Sequence, residues 1–185
     1  MNNPLLVYLT EGLAKEGYIA MRFNFSYKER GRNVPDNVKK LILTWQKVFQ
    51  FFKDNSGIDL DKIFVGGKSM GGRIASQMVG DKQLSGYGVV LLGYPLHPPG
   101  RKDKLRDEPL YRIEVPMLFF AGTRDSLCDL DLLKNIMKKM LAPRELEIID
   151  GGDHSFKLLK SMGVDQKVVY ERILQRLIGW LNSVF

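Results

Sequence analysis

The sequence is poor in the residues that most often build metal centres and disulfide frameworks. Among its 185 residues there is one cysteine, Cys128, and there are two histidines, His97 and His154. A single thiol excludes an internal disulfide and a cysteine-based metal cluster. Because no His-x-x-x-His pair is present, we expect no zinc site, no other metal and no cofactor. The scarcity of cysteine is typical of the cytosol, so we predict a cytoplasmic protein.

Long apolar runs are also missing. The longest, at 87–92 and 115–121, have the length of strands and fall far short of the roughly 18 residues of a membrane-spanning helix. The first residues, Met1-Asn2-Asn3-Pro4, lack the positive head and apolar block of a signal peptide. We therefore expect no association with a membrane.

The positive charge is moderate and scattered. The chain has 28 Lys and Arg against 21 Asp and Glu, a formal net charge of +7. Basic residues do not alternate with aromatic ones as single-strand stacking requires, so we predict a small-molecule substrate and no specific nucleic-acid partner. The oligomeric state stays open. Some basic residues in predicted loops could attract an anionic substrate or form a solvated rim: Arg30, Arg32, Arg101, Lys102, Lys104 and Arg106.

Length and periodicity predict one α/β domain over residues 1–185. A hydrophobic share of 44% suffices for a sizeable core. The predicted strands are 18–25, 62–66, 87–93, 115–121 and 145–150, the predicted helices are 4–16, 34–52, 70–79, 105–111, 127–140 and 164–181, and 26–33 is predicted as a loop. Apolar strands that alternate with helices favour a three-layer α/β/α sandwich with a mostly parallel, doubly wound sheet.

The sharpest chemical signal is a Gly-x-Ser-x-Gly motif between a predicted strand and a predicted helix. Gly67, Ser69 and Gly71 form it, and small residues on both sides let the helix pack against the strand. Such a nucleophile elbow would expose the Ser69 hydroxyl and place the Met70 N–H to stabilise an oxyanion. The alternatives are a simple connecting turn and a phosphate loop, but the latter would need glycine where Lys62 stands.

A serine nucleophile needs a base and an orienting acid. Asp125 follows the strand at 115–121 and His154 follows the strand at 145–150, so both should lie at the sheet edge that carries Ser69. Two alternatives concern the acid: Asp125 could cap the next helix, and Asp129 is a rival. His97 competes with His154 as the base.

Four segments in order, 66–73, 93–106, 122–125 and 151–156, give the chain its resemblance to the α/β-hydrolases. More narrowly it resembles the small dienelactone-hydrolase-like group that includes testis-expressed and NSL-complex-subunit relatives. This resemblance implies an α/β-hydrolase fold and a serine hydrolase that uses Ser69, Asp125 and His154 on carboxylic esters or similar small substrates. Within this interpretation we assign Lys68 and His97 to substrate binding, with His97 at the pocket rim.

The chain departs from this group at its beginning. Members carry an apolar strand and a His-Gly loop before the segment that here starts at Met1, and the loop supplies a second oxyanion donor. Either Met1 is an internal start, or the strand at 18–25 pairs directly with the strand at 62–66 in a five-stranded sheet. A non-catalytic interaction module with this fold is the alternative function. Whether residues 101–112 form a lid is left open.

Overall fold

The computed structural model describes residues 2–57 and 62–184, which fall into two compact units, Met1–Lys62 and Ile63–Phe185. The described part of the first unit contains the helices α1 (Pro4–Lys15), α2 (Ser26–Glu29) and α3 (Val38–Asn55). The side chain of Asn3 accepts a hydrogen bond from the Leu6 N–H, and that of Asn37 accepts one from the Lys40 N–H. These two caps fix where α1 and α3 begin. The assignment of the whole chain to one domain stays a prediction.

The strand predicted at 18–25 does not form. These residues are in neither helix nor strand, and 26–29, predicted as a loop, form α2. A strand needs a neighbour that accepts and donates its backbone hydrogen bonds, and no described segment forms such a ladder with 18–25. The aromatic side chains of this segment pack against other rings instead. The ring centroid of Phe23 lies 4.8 Å from that of Trp45 and 5.8 Å from that of Phe25. The five-stranded alternative is therefore wrong for the described residues.

The second unit is built on a parallel sheet. Its strands are β1 (Phe64–Lys68), β2 (Gly88–Leu92), β3 (Met117–Gly122) and β4 (Arg144–Ile149), in the order β1-β2-β3-β4. Every residue of β2 and β3 is buried, as their continuous apolar sequences predict. All four strands lie within about two residues of the predicted ones. The carboxyl ends of the strands therefore share one edge of the sheet.

Helices cover both faces of this sheet. The described helices of this unit are α4 (Met70–Gly80), α5 (Glu108–Tyr111), α6 (Leu130–Met137) and α7 (Gln166–Val184), with a short 3-10 helix at Lys160–Met162, and α4 and α7 lie against the sheet. A Cβ at Gly88 would meet Trp180 of α7, whereas the Leu91 side chain meets Gly72 of α4. Positions 88 and 91 point to opposite faces because side chains alternate along a strand. This arrangement confirms the three-layer α/β/α prediction.

Within the described parts of the chain, no helix combines the length and apolar character that crossing a bilayer requires.

Candidate active site

Ser69 lies at a sharp turn from β1 into α4. Its backbone has φ 51° and ψ −117°, a conformation that a non-glycine residue rarely adopts and that persists only when neighbours hold it. The Ser69 N–H donates to the Leu92 carbonyl at 2.9 Å, and the Ser69 carbonyl accepts from the Arg73 N–H at 3.0 Å. The end of β2 and the first turn of α4 thus hold the Ser69 backbone from both sides.

Two glycines make this turn possible, and they are not the pair that the motif predicts. A Cβ at Gly67 would lie 2.9 Å from the backbone of Gly71 and Gly72, and a Cβ at Gly72 would lie 2.6 Å from the Gly67 carbonyl oxygen. A Cβ at Gly71 would have no described atom within 4 Å. The expectation that Gly71 must be small for close packing is therefore wrong, and Gly72 has that role.

His154 lies in a tight loop after β4. Asp153 organises this loop, because its Oδ1 accepts hydrogen bonds from the N–H groups of Ser155 at 2.7 Å and Lys157 at 2.9 Å. The Phe156 side chain is fully buried and anchors the loop. Asp153 is thus a loop carboxylate, and the imidazole next to it has a defined position.

Asp125 follows β3 and its carboxylate is fully buried. Asp125 Oδ1 accepts a hydrogen bond from the Leu127 N–H at 2.8 Å. The rival acid, Asp129, has another role, because it caps α6 by accepting from the N–H groups of Asp131 and Leu132, both at 3.0 Å. It also pairs with Lys102 at 2.5 Å. The alternative that Asp125 caps the next helix is therefore not realised, because Asp129 provides that cap.

The three side chains form one hydrogen-bonded row. His154 Nδ1 lies 2.8 Å from Asp125 Oδ2 and 3.0 Å from Oδ1, and His154 Nε2 lies 2.8 Å from Ser69 Oγ. An ionised carboxylate can only accept, so Nδ1 carries the proton and Nε2 accepts from the Ser69 hydroxyl. This tautomer allows the imidazole to take the hydroxyl proton when Ser69 attacks an electrophile.

The start of α4 supplies a donor beside Ser69. Met70 is the first residue of the helix, and N–H groups in a first turn have no intrahelical acceptor. The positive end of the helix dipole lies at the same point. A negatively charged oxygen that develops next to Ser69 Oγ can therefore be stabilised there.

The two residues assigned to substrate binding differ in their surroundings. Lys68 is half-buried, and burial lowers the pKa of its ammonium, while the charges of Asp125 and Asp153 act in the opposite direction. His97 is only 1% exposed. Its Nε2 accepts from the Asp129 N–H at 3.2 Å, and its Nδ1 lies 3.0 Å from the Pro98 carbonyl oxygen. The His97 ring thus joins two loops and also lines a cavity beside Asp125, and its assignment to substrate binding at the pocket rim stays a prediction.

A cavity of 350 Å³ lies beside Asp125, and neither Ser69 nor His154 lines it. Cys128 borders the cavity, where burial, with the nearby charges of Asp125 and Asp129, raises the pKa of its thiol to about 12. Cys128 is thus a packed thiol. Across residues 2–57 and 62–184, no three His, Cys, Asp or Glu side chains are grouped so that they could hold a metal ion.

Gly93 is a site residue that motif analysis missed. It has a φ of 62°, and a Cβ there would lie 3.1 Å from the His154 carbonyl oxygen. A glycine directly after a buried strand is the only signal in the sequence for such a close approach. Arg73, at the end of the Ser69 motif, was also assigned no role.

Comparison with known proteins agrees with this architecture. A family model described as alpha/beta hydrolase domain matches residues 1–182. The fold is similar to that of an alpha-beta serine hydrolase homologue from Coxiella burnetii, with a TM-score of 0.73 and 19% identity over 96% of this chain and 77% of the other.

Two further solved structures share the fold. A metagenome-derived lipolytic enzyme, one of the pair LipS and LipT, has a TM-score of 0.73 and 14% identity over 98% of this chain and 89% of its own. A dienelactone hydrolase from Anabaena variabilis has a TM-score of 0.64 and 17% identity, over 94% of this chain and 78% of its own. The narrower relationship to testis-expressed and NSL-complex-subunit proteins stays a prediction.

Proposed function

Because the chain belongs to the alpha/beta hydrolase family, we propose that it is a serine hydrolase that cleaves carboxylic esters or similar small substrates. The observation that carries this proposal is the row of hydrogen bonds from Ser69 Oγ to His154 Nε2 and from His154 Nδ1 to Asp125, each 2.8 Å at its shortest. These distances lie within the range that proton transfer between nucleophile and base requires.

The proposed reaction proceeds in two halves. Ser69 Oγ attacks the ester carbonyl carbon while His154 Nε2 takes the hydroxyl proton, and the same proton then passes to the leaving alkoxide, which departs as an alcohol. Water next attacks the acyl-enzyme, His154 again takes and returns one proton, and the carboxylic acid leaves. Asp125 holds the imidazole in the required tautomer and stabilises its protonated form.

We assign the stabilisation of the oxyanion to the Met70 N–H. The tetrahedral intermediate carries its negative charge beside the start of α4, where this donor and the helix dipole stabilise it. Loss of one such donor costs about 10²–10³ in kcat. The turn that places Met70 therefore contributes to the rate as directly as the side chains do.

Labelling by a fluorophosphonate probe tests this proposal together with turnover of short-chain p-nitrophenyl esters. We expect stoichiometric labelling that maps to Ser69, and both labelling and turnover should disappear in Ser69→Ala. Ser85→Ala is the matched control, since Ser85 is exposed in the loop before β2. A folded protein that neither reacts with the probe nor cleaves an ester would refute the proposal and favour the non-catalytic interaction module.

A further inference from the structure

Arg73 lies one helical turn beyond Ser69. Its N–H donates to the Ser69 carbonyl at 3.0 Å, and side chains on a helix lean towards its N-terminus. Arg73 Nη2 accordingly lies 3.2 Å from Met70 Sδ. Arg73 Nε is buried and has no hydrogen-bond partner. A buried guanidinium donor next to the nucleophile is thus left without an acceptor, which is costly unless a ligand supplies one.

Arg106, in the segment at 101–112, has a fixed backbone position, and its charge acts on Arg73. Its N–H donates to the Leu96 carbonyl at 2.8 Å, and its carbonyl accepts from the Tyr94 hydroxyl at 2.6 Å. Arg106 Nη1 donates to the Pro95 carbonyl at 3.2 Å. The half-buried Arg106 therefore has a fixed backbone, and its guanidinium has one long hydrogen bond to an acceptor among the residues that the structure describes.

Among the described residues, no carboxylate forms an ion pair with either of these two cations. Six arginines of the described residues form ion pairs, namely Arg30, Arg32, Arg101, Arg112, Arg172 and Arg176. The ion pairs within residues 2–57 and 62–184 include neither Arg73 nor Arg106. Burial lowers the pKa of Arg73, and the charge of Arg106 lowers it further. A bound anion would stabilise two half-buried like charges that act on each other.

We propose that Arg73 and Arg106 form a subsite for an oxyanion, a carboxylate or a phosphate, carried by the ester that Ser69 attacks. Each planar guanidinium group offers a fork of N–H donors that matches the geometry of such an anion. Arg73 lies in the first turns of α4, directly after Ser69, so we expect a short chain between the anion and the scissile carbonyl. This inference rests on the proposed function and narrows its substrate class to short anionic esters.

A matched pair of esters tests the subsite. Monoethyl glutarate and ethyl valerate have acyl chains of equal length, but the first ends in a carboxylate and the second in a methyl group. We expect the ratio of their kcat/KM values, measured by ethanol release, to favour the glutarate ester. In Arg73→Gln and in Arg106→Gln this ratio should fall about tenfold or more, chiefly through the KM of the anionic ester.

Arg144→Gln is the matched control. Arg144 also lacks a carboxylate partner among the described residues, but it lies at the start of β4, away from the carboxyl ends of the strands. Its substitution should leave the ratio unchanged. If Arg73→Gln does not fold, Arg106→Gln decides the question alone, with Arg106→Lys expected to restore part of the preference.

Competition identifies the source of the oxyanion. Inorganic phosphate and glutarate are compared as competitive inhibitors of ethyl valerate hydrolysis at constant ionic strength. The stronger inhibitor shows whether the subsite binds a phosphate or a carboxylate more tightly. The subsite proposal is overturned if neither phosphate nor glutarate inhibits. It is also overturned if both glutamine variants keep the wild-type ratio of the two kcat/KM values. In either case labelling of Ser69 by a fluorophosphonate would leave the hydrolase proposal intact, whereas loss of labelling in the wild type would refute that proposal itself.

Discussion

Among single residues, the neighbouring glycines after Ser69 have opposite tolerance for a side chain. A Cβ at Gly72 would lie 2.6 Å from the Gly67 carbonyl oxygen and 3.1 Å from Leu91 Cδ2, whereas a Cβ at Gly71 meets open space. A backbone oxygen cannot move aside as a flexible side chain can, so the strand and helix must separate at position 72. The spacing of a motif alone does not distinguish these two positions.

Gly72→Ala should therefore destabilise the protein by about 1–3 kcal/mol. It should also displace Ser69 and slow its labelling by about 10²-fold, because a small misplacement of a nucleophile is costly. Gly71→Ala is the control and should be neutral, or stabilising by up to about 1 kcal/mol, as alanine favours helices. Urea denaturation and the labelling rate measure both effects. Equal damage in the two variants would contradict this account of the turn.

The Cys128 thiol should react slowly while the protein is folded. Burial raises the pKa of Cys128 to about 12, and the thiolate is the reactive form, so at about pH 8 only about one thiol in 10⁴ is ionised. Alkylation by iodoacetamide should be slow in buffer and complete within minutes in concentrated urea. Rapid stoichiometric alkylation of the folded protein would show that Cys128 is accessible and ionised.

At the scale of elements, burial made the boundaries of the central strands predictable, whereas the start of α6 depends on which residue caps it. The strands at 87–93 and 115–121 were predicted within two residues because an uninterrupted apolar run has no other place in a soluble fold. The start of α6 was misplaced to 127 because Asp129, not Asp125, caps the helix. Sequence spacing cannot tell which of two neighbouring carboxylates turns towards a histidine and which turns towards helix N–H groups.

Asp129→Ala should cost about 1 kcal/mol at neutral pH, since the variant loses the N-cap of α6. The hydrogen bond from Lys102, followed by the Leu132 N–H, lowers the pKa of Asp129. A lowered pKa in the folded state means that this stabilisation is present at neutral pH and is lost as pH falls below about 4. Urea midpoints of wild type and variant should therefore converge in acid.

Lys102→Ala separates the cap from the ion pair. Lys102 is 64% exposed, and surface ion pairs contribute only about 0–1 kcal/mol. This variant should lose less stability than Asp129→Ala at neutral pH. A larger loss in Lys102→Ala would assign the stabilisation to the ion pair and contradict the assignment to the cap.

At the scale of the whole molecule, stability is concentrated in the central strands. Leu91 is fully buried in β2 and packs beneath α4, whereas Leu141 is 92% exposed. Leu91→Ala should cost about 2–5 kcal/mol, and Leu141→Ala should change stability by less than about 0.5 kcal/mol. Urea denaturation monitored by far-ultraviolet circular dichroism measures both. Similar losses in the two variants would show that the sheet is not the principal core.

The topology of the sheet made it predictable that three residues far apart in the sequence meet at the site. Parallel strands end at one edge, so residues that follow β1, β3 and β4 had to meet there, and Ser69, Asp125 and His154 do. The strand at 18–25 failed because its apolar pattern needed a pairing partner that periodicity cannot reveal. The bond between His97 and the Asp129 N–H and the burial of Arg73 Nε could not be predicted from the sequence, because both depend on contacts between distant segments.

The rate constant of fluorophosphonate labelling at Ser69 tests the central claim most directly when it is compared among His154→Ala, Asp125→Asn and the double variant. If the three side chains act as one unit, His154→Ala should slow labelling by about 10³-fold or more. The double variant should then be no slower than His154→Ala, because Asp125 acts only through the imidazole. Reductions that multiply in the double variant, or wild-type labelling of His154→Ala, would contradict the account.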